Sequence, residues 1–141
     1  MFATPAPLST VLWRVVVLQG DTVQEGFYSL FDKDKRIAFD AFPRGQALAA
    51  SLAGNTSVQR MTAFTDGFVA LREKGNTATL TDLRMGQEPN YVFSFEVARR
   101  DGPAANWIEI KPESAGNRGD AGAALRWLWP RMWGEQIAPP R

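Results

Sequence analysis

The chain has 141 residues, 45% hydrophobic and 22% charged, with 16 basic residues against 15 acidic ones for a net charge of +1. That length suits one domain with a core of its own. So even a balance argues against nucleic acid as a partner, because a phosphate-tracking surface needs clustered excess Lys and Arg. There is no Cys and no His, which removes disulfides, thiolate nucleophiles, the usual zinc ligands and any Ser-His-Asp triad. Catalysis would have to rest on carboxylates, Lys, Tyr or an oxygen-liganded ion, and no catalytic or metal-binding set is assigned.

Met1 to Ser9, with Pro5 and Pro7, reads as an extended lead-in without a signal peptide's basic start. The apolar run Val15 to Leu18 is far short of the roughly 20 residues that cross a bilayer, so the sequence predicts a soluble chain. Thr10 to Leu18 is rich in β-branched residues and apolar on both faces, as a central strand is. Gln19-Gly20-Asp21 turns it into a hairpin with Val23 to Phe31. Asp32 to Arg36 is read as a solvated charged loop.

After Pro43 the period becomes helical. Gln46 to Ala53 ends at Gly54, and Asn55, Thr56 or Ser57 caps a second helix carrying Val58, Met61 and Phe64. Phe68 to Glu73 and Thr77 to Leu83 flank Gly75-Asn76, a two-residue hairpin signal. Tyr91 to Ala98 alternates with an aromatic inner face, and a last short strand lies around Trp107 to Lys111. Glu113 to Asp120 is read as loop. Asp120 then caps a helix with Leu125, Leu128, Trp129, Met132 and Trp133 as its apolar positions, which Pro130 kinks or ends early. The sum is an α+β domain over residues 10–135, a mainly antiparallel sheet of about six strands with helices covering one face, followed by a tail at 136–141.

Thr81 to Phe95 carries more hydrogen-bonding capacity than a chain reversal requires: Asp82, Arg84, Gln87 and Glu88, followed by Tyr91. Either Arg84 clamps an anionic ligand with carboxylates steadying its fork, or Asp82, Arg84 and Glu88 form a latch pinning the turn. Arg14, in a strand that otherwise reads as buried, needs a partner such as Asp82, Glu25 or Glu96, or else points into a pocket. Trp127, Trp129 and Trp133 crowd one helix. They supply core, or leave surface over for a partner or a membrane, framed by Arg126 and Arg131. An aromatic sheet face of Trp13, Phe27, Tyr91 and Phe93 offers a second site, a pocket for a small apolar or anionic ligand.

The opening from Thr4 to Val17, Glu25-Gly26-Phe27-Tyr28-Ser29-Leu30, Thr65-Asp66-Gly67-Phe68 and above all Thr81-Asp82-Leu83-Arg84-Met85-Gly86 through Tyr91-Val92-Phe93-Ser94-Phe95 resemble a known region. It is the C-terminal part of the bacterial membrane-bound metal-dependent hydrolases, the YdjM-like, LexA-binding, inner membrane-associated family. The likeness runs in order over Thr4 to Ala98. It implies a soluble accessory domain following transmembrane helices at the bacterial inner membrane, with Pro5 and Pro7 in the linker. The family's metal-binding His and acidic residues belong to the membrane-embedded part, so a divalent metal is expected there and no cofactor in this chain.

Overall fold

Two-residue turns fix the first architecture. In the computed structural model, which describes residues 1–141, Gly20-Asp21 joins β2 (Leu12–Gln19) to β3 (Thr22–Ser29), with Gln19 opposite Thr22. On the outer side of β2 lies β1 (Phe2–Pro5), and on the outer side of β3 lies β4 (Phe39–Pro43). The result is an antiparallel four-stranded sheet in the order β1-β2-β3-β4, with β2 central.

Neither edge strand was expected. The lead-in pairs in register, Phe2 with Val16 and Pro5 with Trp13. Both Pro5 and Pro43 end edge strands, the positions where a missing N–H removes no ladder bond. β3 also stops at Ser29 rather than Phe31, because Asp32 Oδ2 accepts the Ser29 N–H at 2.9 Å and the chain turns there.

The second sheet is also four-stranded and antiparallel, in the order β10-β9-β6-β5. β5 (Val69–Lys74) and β6 (Thr77–Asp82) form the hairpin around Gly75-Asn76. β6 then gives way to a small ribbon, β7 (Gly86–Gln87) and β8 (Asn90–Tyr91), before β9 (Ser94–Arg99) and β10 (Ile108–Ser114). The fold is therefore α+β with two four-stranded sheets and a ribbon, where the sequence predicted one sheet of about six strands.

The expected strand from Tyr91 to Ala98 is split between β8 and β9, and its alternation fails for a specific reason. The register slips between Ala78 and Thr79, which face Ala98 and Glu96, leaving Val97 as the extra residue of a bulge. Val97 and Ala98 are consequently both buried, while Phe93 is exposed. β10 reaches Ser114, so Glu113 belongs to a strand and not to the loop predicted for it.

The helices divide between the sheets. Leu52, after α1 (Gln46–Ser51), and Val58 of α2 (Thr56–Phe64) pack on Val69, Leu71, Ala78, Leu80, Val97 and Ala98. Asn55 caps α2 by accepting the Val58 N–H, as its position before the apolar run predicts. On the first sheet, α3 (Ala121–Met132) sets Trp127 against Ala6, Leu12 and Phe27, with the Phe27 and Trp127 rings edge-on at 4.8 Å. Asp120 caps it through the Gly122 and Ala123 N–H groups. Pro130 lies inside the helix, which runs on to Met132 rather than ending early. Between the sheets, Val16 and Val23 meet Ala70, Leu83 and Tyr91 in a shared core.

Candidate functional site

Register places Arg14 opposite Phe27, so Glu25, two residues along β3, is its diagonal neighbour on the same pleat. Of the three carboxylates expected for Arg14, Glu25 is the partner: Arg14 Nε donates to Glu25 Oε2 at 2.7 Å and Nη2 lies 2.6 Å from the same oxygen. The remaining donors reach the ribbon region. Nη1 donates to the Leu83 carbonyl at 2.8 Å and Nη2 to the Tyr91 hydroxyl at 3.1 Å. Every face of this buried guanidinium is thus answered, which is what makes burial of the charge tolerable.

Glu25 collects further donors. Arg141 Nη1 lies 2.6 Å from Oε1, and the Glu88 backbone N–H donates to the same oxygen at 3.2 Å. Arg141 also bonds the Glu88 carbonyl at 2.9 Å and Asp40 at 2.6 Å, so the predicted tail folds back onto both sheet and ribbon. Burial works against the Arg141 charge, but Glu25 and Asp40 outweigh it and raise its pKa. Burial likewise pushes the Tyr91 phenol far above its ordinary value, reinforced by Glu25 and Glu88 against the opposing charge of Arg14.

The predicted trio of Asp82, Arg84 and Glu88 comes apart. Asp82 and Arg84 form a two-pronged pair, Nε to Oδ1 at 3.1 Å and Nη2 to Oδ2 at 2.9 Å, and Asp82 Oδ1 also accepts the Arg84 N–H. That bonding to Asp82 raises the Arg84 pKa. The guanidinium rests 4.8 Å above the Phe64 ring. Glu88 turns the other way and pairs with Arg72 of β5, a residue that drew no attention in the sequence. Gly86, at φ 136°, permits the ribbon, since a Cβ there would lie 2.6 Å from the Asn90 carbonyl oxygen.

A cleft of about 830 Å³ opens beside this network. The turn after β6 supplies Arg84 and Met85, and the ribbon Gln87 and Asn90. β1 and the residues after it supply Thr4 to Pro7, and the approach to α3 supplies Arg118 to Asp120. Arg14, Phe27, Phe93 and Arg141 also line it. Trp13 and Tyr91 are not part of it. Trp13 pairs with Tyr28 and so lies on the opposite pleat from Phe27, while Tyr91 is buried behind Arg14. The four aromatics expected on one face are therefore distributed over three environments.

Inside the cleft, Arg14, Arg84 and Arg141 already hold carboxylates, whereas Arg118 makes no ion pair. Asp120 is the sole acidic lining residue, and it is engaged in capping α3. The donor set does not fit a divalent cation. Nowhere do three or more His, Cys or carboxylate side chains gather as ligands, and Glu25 and Glu88 are already engaged by the guanidinium groups of Arg14, Arg72 and Arg141.

No helix is long and apolar enough to cross a membrane. Comparison with protein families, with curated proteins and with solved structures finds no match to this chain.

Proposed function

We propose that this chain is an accessory domain of a bacterial inner-membrane, metal-dependent hydrolase of the YdjM-like kind, and that its task is to bind. The metal chemistry then belongs to a transmembrane part preceding these residues. One observation carries the reading: the Thr81 to Phe95 segment, where the likeness is most specific, lines the cleft beside the Arg14–Glu25 network with Arg84, Gln87 and Phe93. A site of that size, with apolar surface beside Phe27, Met85 and Phe93 and four arginines (Arg14, Arg84, Arg118 and Arg141) in its wall, suits a small amphiphilic ligand. Arg118, the guanidinium without a carboxylate, favours an anionic head on it.

In the full-length hydrolase, Arg118→Glu should raise KM about tenfold, a loss of about 1.4 kcal/mol of substrate binding, with kcat little changed. Turnover that is unaltered when residues 4–135 are removed altogether would end the accessory reading.

The cleft also supports a second reading, a stand-alone module binding the same class of ligand. Its distinguishing observation is upstream: a gene without several long hydrophobic segments before Thr4 favours it. Calorimetry with octyl phosphate against octanol then serves as the binding measurement, with the phosphate expected to bind and the alcohol not.

A further inference from the structure

Leu125, Trp129 and Trp133 recur every four residues, so they share one face along α3 and its C-terminal cap. That face is bare: Trp129 is 65% exposed, Trp133 53% and Leu125 54%. The turn after β3 extends it with Leu30 and Phe31, 62% and 50% exposed. Phe31 packs on Trp133 at 5.0 Å and Trp133 on Trp129 at 5.9 Å, making one continuous aromatic surface.

The surface is held rigidly. Ser29 Oγ donates to the Met132 carbonyl at 2.5 Å, and Asp32 grips Arg131 through both carboxylate oxygens at 2.6 and 2.8 Å. Gly134, at φ 91°, lets the backbone of Phe31 close on the helix end, where a Cβ would lie 2.6 Å from the Phe31 carbonyl oxygen.

Charge decides what this surface faces. Exposed Lys33, Lys35, Arg36 and Arg126 flank it in sequence without ion pairs, against Asp34 and Glu135, because Asp32 is already neutralised by Arg131. Two copies meeting here would bring like charges together. Tryptophan and phenylalanine rimmed by basic residues match the interface of an anionic bilayer, where aromatic rings sit at headgroup level and Lys and Arg meet lipid phosphates.

We propose that the α3 end and the Leu30–Arg36 loop form a docking surface for an anionic phospholipid bilayer, with Trp129, Trp133 and Phe31 entering the headgroup region. This surface is separate from the cleft and does not depend on the function proposed for it.

The test is cosedimentation of the 141-residue chain with vesicles of phosphatidylcholine containing about a third phosphatidylglycerol, compared with pure phosphatidylcholine. Binding to the anionic vesicles, weakened by added salt, is expected. Trp129→Ser with Trp133→Ser should lower the partition at least about tenfold while the circular dichroism spectrum stays unchanged, since both rings are already solvated. A double variant that binds as tightly as the parent overturns the proposal, and so does failure of the parent to bind anionic vesicles. A dimer in sedimentation velocity that the double variant dissolves overturns it as well, by assigning the surface to a second copy. Octyl phosphate binding in the same double variant should be unaffected, which separates this outcome from failure of the cleft.

Discussion

Asp32 opens a run of charges, Asp-Lys-Asp-Lys-Arg, that reads as a solvated loop, yet its carboxylate is buried. Burial by itself would raise its pKa. Hydrogen bonds from Arg131, the Ser29 N–H and Gln136, with the Arg131 charge, overcome that and hold the carboxyl below its ordinary range. A carboxyl depressed in the folded state adds stability that is fully present above its unfolded value of about 3.9 and is lost as pH falls through the lower folded value. Asp32→Asn should therefore lower stability at neutral pH and flatten the fall in stability below about pH 4, both read from urea midpoints across pH. A midpoint-against-pH curve parallel to that of the parent would show that Asp32 is not part of the acid response. The sequence shows only that Asp32 is charged. Its partner stands 99 residues away, on a helix whose apolar face draws the eye to its tryptophans instead.

Among the elements, α2 and β9 illustrate a joint made by one side chain. Asn55 accepts the Val58 N–H through its oxygen and donates to the Val97 carbonyl, at 2.9 Å, through its amide nitrogen. The cap was legible, since an Asn before an apolar run is a helix start. The second bond was not, because it falls at the Val97 bulge, which no alternation pattern announces. Asn55→Asp keeps the cap and loses the donor, whereas Asn55→Ala loses both. Urea unfolding should show about 1–3 kcal/mol of destabilisation for the alanine, from the lost cap and the unanswered carbonyl. If the aspartate variant proved as stable as the parent, the Val97 bond would contribute nothing.

For the molecule as one body, the question is whether two sheets unfold as one. Val16 and Val23 share a core cluster with Ala70 and Leu83, and Arg14 crosses from β2 to the Leu83 carbonyl. A common core and a buried polar tie predict a single cooperative transition, with far-ultraviolet dichroism and tryptophan fluorescence superimposing. Arg14→Met leaves Glu25 buried with less compensation and should cost about 3–5 kcal/mol, moving the whole transition without splitting it. Two separated transitions in that variant would mean that the sheets are joined by Arg14 alone.

Hairpins, caps and the α+β class were readable because each depends on residues only a few positions apart: Gly20-Asp21, Gly75-Asn76, Asn55 and Asp120 set their own neighbourhoods. The Gly20-Asp21 register even contains the Arg14–Glu25 pair, once the diagonal on a common pleat is followed. Folding in three dimensions supplied the rest. The edge pairing of β1, the division into two sheets, the turn of Glu88 toward Arg72, and the return of Arg141 to Glu25 join segments with no local signal for one another. The ion pairs form because a buried carboxylate must find its complement, and the edge pairing because the free backbone groups of β2 must be bonded, wherever packing brings a partner within reach; distance along the chain carries no trace of either.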